Sequence, residues 1–240
     1  MVNKKDIEIP EQFSMTHNIG LQNERSLHSA LKQWYAKPGD KLEEKVDNFI
    51  IDIVRKNELI EIQTKNLGKI KNKLLQLSKD NQVRLVYPIA QEKRITTISE
   101  DGEVLRSRKS PKRGKLLDIF EEIVRITELF HQQNFTFEVL LIKEEEIRCD
   151  DGKGSWRRKG ISIFDRKLIE VIVSFIFRNK EDFMKIIPLK LNEQISTKSL
   201  AKALQISVYK TRRIVYSLKK IGTIKQVGKK GNLLLYENNC

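Results

Sequence analysis

The sequence contains few residues of the kinds that form disulfides or bind zinc. Its 240 residues include two cysteines, Cys149 and Cys240, and three scattered histidines, His17, His28 and His131. Because no CxxC pair is present, we expect neither a disulfide framework nor a structural zinc site. Such sparse cysteine usage is typical of a reducing compartment, which predicts a cytoplasmic protein.

Long apolar runs are missing too. No stretch approaches the roughly 18 consecutive apolar residues that a membrane helix requires, and the first residues are polar, so neither a membrane span nor a secretory signal is expected. The sequence also shows no glycine-rich phosphate loop and no legible Ser/His/Asp or Cys/His pairing. These absences argue against an NTP-driven enzyme and against covalent catalysis.

Acidic residues are outnumbered by basic ones, because 46 Lys and Arg stand against 32 Asp and Glu, a formal net charge of +14. The excess is concentrated in two segments. Residues 197–240 contain ten basic residues and one acid, and residues 106–115 contain six basic residues and no acid. This distribution indicates a nucleic-acid-binding protein. For residues 106–115, a solvated or mobile linker is an equally good interpretation.

The C-terminal basic segment has the pattern of helix, tight turn, longer helix and hairpin. Ser196 or Thr197 begins the short helix, Val208 begins the longer one, and two strands are joined at 228–232. This order resembles the winged helix-turn-helix family, which implies binding to double-stranded DNA, although such domains also mediate protein contacts. The residues expected to contact DNA are Tyr209, Lys210, Arg212, Arg213, Lys229 and Lys230.

Helical and strand patterns alternate over residues 20–90, which indicates an α/β fold. The predicted elements are a helix at 24–35, strands at 41–46, 49–55 and 58–64, a helix at 66–80 and a buried strand at 83–88. Asn66 is expected to cap the second helix, and Pro88 to end the last strand. Further on, we expect a helix within 114–133, a strand at 135–142 and a helix at 165–177.

Two acids lie at the centre of otherwise apolar strands. The short Lys56-Asn57 connection predicts a hairpin that brings Asp52 beside Glu61, where two carboxylates repel and lose hydration unless a cation neutralises them. Mg²⁺ suits such a place because it prefers carboxylate oxygens, water and phosphate. Glu24 is a third acid, on the apolar stripe of the first helix. Alternatively, all three acids are ordinary polar residues, two paired with basic neighbours and one at a helix N-terminus.

An Asp on one strand followed by Glu-x-Gln on the next resembles the PD-(D/E)XK nuclease superfamily, whose core is restriction-endonuclease-like αβββαβ. The resemblance implies that Asp52 and Glu61 hold Mg²⁺ or Mn²⁺, helped by the carbonyl of Ile62, and that Glu24 is the helix acid of many members. Gln63 stands where the family usually has lysine. A glutamine orients water but, being uncharged, does not lower the pKa of that water. Some restriction-type members use glutamine here.

The missing cation has three candidate sources. Lys65 follows Gln63 by two residues on the same strand face, and Lys69 or Lys73 can reach in from the next helix. The predicted catalytic set is Glu24, Asp52, Glu61, Gln63 and Lys65.

The sequence therefore predicts two domains. Residues 1–163 are expected to form a nuclease-like domain, with its core at about 20–90 and an extension at 91–163, and residues 164–240 a mainly α winged-helix domain. The expected activity is metal-dependent hydrolysis of phosphodiester bonds in DNA, in a restriction-like or defence role, with a homodimer if both strands are cut. The alternative is a non-catalytic transcriptional or architectural DNA-binding protein. An RNA-directed nuclease is a third interpretation.

Overall fold

The computed structural model describes residues 26–187 and 194–239, so Glu24 lies outside the described residues. In the described part of the chain, no helix is long and apolar enough to cross a membrane. The first elements are α1 (Ser26–Tyr35), β1 (Lys41–Val46), β2 (Phe49–Arg55), β3 (Glu58–Ile62), α2 (Lys71–Leu77) and β4 (Gln82–Ile98). This order of helix, three strands, helix and strand confirms the predicted one and makes the fold mixed α/β.

Seven strands form one mixed sheet. The elements that complete it are β5 (Val104–Lys109), α3 (Phe120–Ile123), β6 (Phe135–Asp150) and β7 (Ile161–Phe177). The strand order is β1-β2-β3-β4-β6-β7, with β5 paired to the far half of β4. β1 to β3 form an antiparallel meander, β4 runs parallel to β3 and β6, and β7 is antiparallel to β6. The crossovers that parallel pairing requires contain α2 and α3.

The helix predicted within 114–133 is much shorter than expected. Only α3 is α-helical, and 3₁₀ turns at Leu116–Ile119 and Thr127–His131 flank it. Several β-branched residues lie in this segment, and their restricted side chains lower helix propensity.

The helix predicted at 165–177 is wrong, because this segment belongs to β7. It is rich in Ile, Val and Phe, which fit a pleated strand, and it pairs with β6 along its length. Asp165 accepts hydrogen bonds from the amide and hydroxyl of Ser26, at 3.1 and 2.6 Å, so it binds the first residue of α1. The domain boundary expected at 163/164 falls inside this strand, and the sheet ends at Phe177.

β4 does not end at Pro88, contrary to the prediction. The carbonyls of Val86 and Ala90 accept the N–H groups of Gln63 and Gly114 at 2.9 and 2.8 Å. Because peptide groups alternate along a strand, the nitrogen of Pro88 points to that same side, where β4 has no strand partner at this residue. Proline therefore removes no hydrogen bond of the ladder here.

Asn66 does not cap α2. It has a left-handed backbone (φ 61°) before a 3₁₀ turn at Leu67–Ile70, and its side chain makes no capping bond. The amide of Leu67 donates instead to Glu122, at 3.0 Å. A residue distant in sequence thus replaces the local cap.

The C-terminal part contains β8 (Ile195–Ser196), α4 (Thr197–Leu204), α5 (Val208–Ile221), β9 (Ile224–Lys230) and β10 (Leu233–Asn238). Its three strands form a separate sheet in the order β8-β10-β9. Ser196 and Ser207 cap the two helices through their side chains. The predicted order of elements is confirmed, but the hairpin turn is shorter than expected, because 228–230 belong to β9 and Gly231 begins the turn.

Buried apolar residues form two clusters, one on each face of the large sheet. The smaller lies under α1 and includes Leu27, Leu31 and Ile60. The larger covers the α2 and α3 face and continues into α5 through Ile214 and Leu218. The C-terminal part therefore shares a core with the sheet, which residues far apart in sequence build together.

Candidate active site

The β2–β3 hairpin brings Asp52 and Glu61 together as predicted. Ile53 pairs with Ile60 and Arg55 with Glu58, so Asp52 and Glu61 are the next residues to face each other across the strands. The N–H of Asp52 donates a long hydrogen bond, of 3.4 Å, to Glu61 Oε1. The hairpin geometry thus joins two acids that are nine residues apart.

Strand alternation is broken at Asp52. Ile51 packs in the larger cluster and Ile53 in the smaller, although such residues normally share one face. The carboxylate of Asp52 turns toward β3, where its Oδ2 accepts the N–H of Ile62 at 2.8 Å. A side chain thus replaces a backbone acceptor, and the paired part of β2 and β3 ends here.

Asp52 also contacts α1. Nε2 of His28 lies 3.2 Å from Asp52 Oδ2. Burial alone raises the pKa of Asp52, but the hydrogen bond and charge of His28, the N–H of Ile62 and the charge of Lys32 outweigh it and lower that pKa. The structure therefore favours the ionised form of Asp52.

Glu61 has the opposite electrostatic environment. Its side chain faces α2, where Lys73 Nζ lies 2.6 Å from Glu61 Oε1 and also donates to the carbonyl of Ile50. Glu61 is 6% exposed. Burial and the nearby charge of Asp52 raise the pKa of Glu61 to about 7, although Lys73 opposes the shift. Glu61 therefore titrates near neutral pH.

The structure brings Lys73, and not Lys65, to the acids. Lys65 is exposed, and its carbonyl accepts a hydrogen bond from Gln63 Nε2 at 2.7 Å. The side-chain amide of Gln63 thus binds the backbone just after β3. Of the three lysines considered from sequence, Lys73 alone has a contact to Glu61 among the described residues.

Sequence reasoning missed His28 and Lys32 on α1. Lys32 is 5% exposed and forms an ion pair with Glu43 of β1, at 2.5 Å. A signal was present, because in the helix predicted at 24–35 His28 follows Glu24 by four residues and would share its face. If Glu24 is expected to face the site from that predicted helix, His28 is expected to face it too.

A divalent cation is held by several oxygen ligands that converge on one point. Across residues 26–187 and 194–239, no three His, Cys, Asp or Glu side chains converge on one point. The engaged oxygens of Asp52 and Glu61 are directed at α1 and α2, on opposite faces. Their other oxygens, Asp52 Oδ1 and Glu61 Oε2, accept no hydrogen bond within these ranges. These two carboxylate oxygens are thus without a hydrogen bond in the described part of the chain, and carboxylate oxygens are among the ligands that Mg²⁺ prefers.

The residues expected to contact DNA have mixed environments. Lys210 Nζ lies 2.9 Å from Asp118 and 3.5 Å from Glu121, near α3. The hydrogen bond to Asp118 raises the pKa of Lys210. Arg213 donates to the hydroxyl of Tyr209 at 3.0 Å and lies 3.9 Å from Glu121. The start of α5 is thus held against the sheet domain.

The other predicted DNA contacts are exposed. Arg212 lies on the outer side of α5, and Lys229 and Lys230 lie on β9. None of the three forms an ion pair within the described part of the chain.

The structure thus defines a mixed α/β protein with a buried acidic pair at the end of a β-hairpin. The chain belongs to the family described as a domain of unknown function (DUF8091), whose model matches residues 25–178. This match covers the seven-stranded sheet and ends one residue after β7. The chain is also 36% identical over 184 residues to an uncharacterized protein of Treponema pallidum (strain Nichols), covering 76% of this chain and 73% of that protein. No solved structure matches.

Proposed function

We propose that this protein is a metal-dependent nuclease that hydrolyses phosphodiester bonds in DNA. One observation supports this above all: Asp52 and Glu61 face each other where β2 and β3 separate, and Lys73 binds Glu61 at 2.6 Å. Two carboxylates suit the binding of a divalent metal, and a lysine offers positive charge to a phosphate that gains negative charge during hydrolysis. A buried acid with a pKa near 7 is typical of functional sites, because a purely structural acid is normally better compensated.

The resemblance to the PD-(D/E)XK superfamily supports the same proposal. The helix, three strands, helix and strand occur in the order of the αβββαβ core, with the acids on its second and third strands. In this proposal Lys73 supplies, from α2, the cation that Gln63 does not.

Each residue has a distinct part in the proposed reaction. A bound Mg²⁺ or Mn²⁺ supplies the positive charge that activates water and stabilises the scissile phosphate. Asp52 and Glu61 would hold the metal, and the carbonyl of Ile62 would be a further ligand. His28 favours the ionised form of Asp52, and Lys73, beside Glu61, would supply positive charge near the scissile phosphate.

The C-terminal part is proposed to deliver the enzyme to double-stranded DNA. Its two capped helices and hairpin have the element order of a winged helix-turn-helix. Arg212, Lys229 and Lys230 are exposed there and offer charge to phosphates. Cleavage of both strands at one position requires two active sites, so a homodimer is part of the proposal.

The test is cleavage of supercoiled plasmid by the full chain with Mg²⁺ or Mn²⁺. Asp52→Ala and Glu61→Ala are each expected to lower the nicking rate by roughly 10²–10³-fold, the scale for removing one electrostatic catalytic group. Glu44→Ala, on the neighbouring strand β1, is the matched control and should cleave normally. A wild type that binds DNA but never nicks it with either metal contradicts the proposal.

One observation favours a second candidate, a DNA-binding protein without catalysis. The amide of Gln63 is bonded to the carbonyl of Lys65, away from the acids. If the plasmid stays intact while DNA binding is normal, the sheet domain serves as a scaffold. Parallel cleavage assays with single-stranded RNA test the RNA-directed alternative.

A further inference from the structure

The large sheet has a gap on one side of β4. β3 pairs with β4 up to Val86, and β5 pairs with it from Arg94 onward. The seven residues between them have no strand partner on this side, a length of roughly 23 Å at the rise of a strand. The gap begins where β3 ends, one residue after Glu61, so it adjoins the candidate active site.

Residues 106–115, which we call the basic strap, comprise the end of β5, paired with β4 up to Lys109, and the segment after it, which borders the gap and is fixed to β4 at two further points. The N–H of Ser110 donates to the carbonyl of Lys93 at 2.7 Å, and the N–H of Gly114 donates to that of Ala90 at 2.8 Å. A Cβ at Gly114 would lie 2.5 Å from Ile89 Cγ2, so glycine alone fits this approach. The strap is therefore part of the fold and not a mobile linker, although its basic residues are exposed to solvent.

The cations of the basic strap have no acidic partners. None of its six basic side chains forms an ion pair with any residue in the described ranges, whereas Lys210, at the start of α5, is paired with Asp118. All six belong to exposed residues. Six unpaired charges within ten residues repel one another, and a polyanion relieves that repulsion. The six residues are Arg106, Arg108, Lys109, Lys112, Arg113 and Lys115.

A cleft of about 670 Å³ occupies the gap. Its lining includes Lys65, three residues after the end of β3, and Arg108 and Lys112 of the basic strap. The cleft thus extends from near the end of the strand that carries Glu61 to the unpaired cations. Four acids also line it (Asp118, Glu121, Glu122 and Glu146), so the unpaired positive charge offered to a phosphate lies on the strap side of the cleft.

We propose that the basic strap and the cleft beside it bind the phosphate backbone of double-stranded DNA and lead it to Asp52 and Glu61. This inference rests on the proposed nuclease function and names the surface that holds its substrate. In this proposal the strap is the main phosphate-binding surface, because it has six cations without an ion pair in the described ranges, against three among the expected DNA contacts of the C-terminal part (Arg212, Lys229 and Lys230). The start of α5 is occupied by its contacts with Asp118 and Glu121.

The experiment measures binding of the full chain to a fluorescein-labelled 30-base-pair DNA duplex by anisotropy, in EDTA, over a series of KCl concentrations. The triple variant Arg108→Ala, Lys112→Ala, Arg113→Ala is expected to raise Kd at least about tenfold near physiological salt. Its slope of log K against log [KCl] should fall by about 2.7, since each phosphate contact contributes about 0.9.

A matched triple variant, Lys45→Ala, Lys79→Ala, Lys153→Ala, removes the same charge from exposed positions outside the cleft and should leave the slope within one unit of the wild type. Equal losses in the two variants, an unchanged slope in the strap variant, or tighter binding of an RNA duplex overturns the inference. Because EDTA prevents metal-dependent cleavage, the outcomes separate. Strap-dependent binding without any plasmid nicking refutes the nuclease proposal alone, and nicking with strap-independent binding refutes this inference alone.

Discussion

Two pairs of acids lie on the same sheet, one fully buried and one partly buried, and their surroundings differ. Glu144 and Glu146 on β6 are 1% and 4% exposed. Lys93 forms an ion pair with each of them, because its Nζ lies 2.8 Å from Glu144 and 2.7 Å from Glu146. Arg166 also binds Glu144, and Arg148 binds Glu146 at 2.6 Å. Three cations thus neutralise two acids.

The pair at the β2–β3 hairpin is compensated less. Glu61 has Lys73 as its cation, and Asp52 has His28. Burial raises the pKa of Glu146 too, but hydrogen bonds from Lys93 and Arg148 outweigh it and lower that pKa, whereas the pKa of Glu61 rises to about 7. The comparison teaches that burial of an acid does not by itself indicate function. An acid left short of positive charge is the better candidate.

The largest expected effect is on the compensated pair. Glu144→Gln leaves Arg166 and Lys93 without one of their partners in a buried place, which should lower the free energy of unfolding by about 3–5 kcal/mol. Urea denaturation at pH 7 measures it, with Glu170→Gln on exposed β7 as the control that loses a surface ion pair only. A loss below about 1 kcal/mol would show that this network is not structural.

Glu61 should make stability depend on pH in the opposite sense to most acids. Its folded pKa of about 7 exceeds the ordinary 4.5, so the folded state keeps a proton that the unfolded state releases between these values. Stability should therefore fall as pH rises from 4.5 to 7, by on the order of 3 kcal/mol. Glu61→Gln abolishes this fall, as urea denaturation at pH 5, 6, 7 and 8 would reveal. Identical profiles for the two proteins contradict the assignment.

Lys73→Met tests whether one lysine holds Glu61 ionised. Without Lys73 the pKa of Glu61 should rise further, because the charge and hydrogen bond that oppose the shift are lost. We expect destabilisation of about 1.5–3 kcal/mol at pH 8, the scale of a hydrogen bond between charged groups, and much less at pH 6, where Glu61 is protonated. Lys69→Met, on the exposed turn before α2, is the control. A loss independent of pH would mean that Lys73 acts through packing.

The smallest effect is expected at His28. Its hydrogen bond and charge help to lower the pKa of Asp52, so they stabilise the fold above the ordinary pKa of 3.8 and less as pH falls. His28→Asn should lower stability by about 0.5–1.5 kcal/mol at pH 6. Its effect should shrink as the pH falls below 3.8, as followed by acid unfolding. An undiminished effect at pH 2 would place its origin in α1 packing.

The sequence was sufficient for the hairpin and its acids because both depend on local rules. The two-residue turn sets the register that brings Asp52 opposite Glu61, even though the period of two along β2 fails at Asp52 itself. The C-terminal order of elements is similarly local, since Ser196 and Ser207 cap their helices as short-range signals predict. The sequence leaves three lysines as candidates for the cation beside the acids. Which of them contacts Glu61 depends on how α2 packs against the sheet.

The predictions that the structure contradicts at Asp165, Asn66 and Pro88 share a cause. The sequence pattern predicts a helix that begins at Asp165, yet Asp165 accepts hydrogen bonds from Ser26 at the start of α1, and the amide of Leu67 donates to Glu122 and not to Asn66. In both places, a group distant in sequence satisfies a backbone amide that local reasoning assigns to a neighbour. Pro88 is predicted to end its strand, but β4 continues past it because the other strands leave a gap beside β4 at this residue. The sequence around Pro88 alone does not reveal that gap.

The sequence by itself determined that two carboxylates meet on a hairpin and that positive charge gathers in two segments, because strand periodicity and composition are properties of the chain. The tertiary structure decided which charges are neutralised. Three cations converge on Glu144 and Glu146, and acids of the sheet domain pair with the start of α5, while the basic strap keeps its charge. The reason is that an ion pair requires its groups within about 4 Å. Side chains far apart in sequence reach that distance through packing.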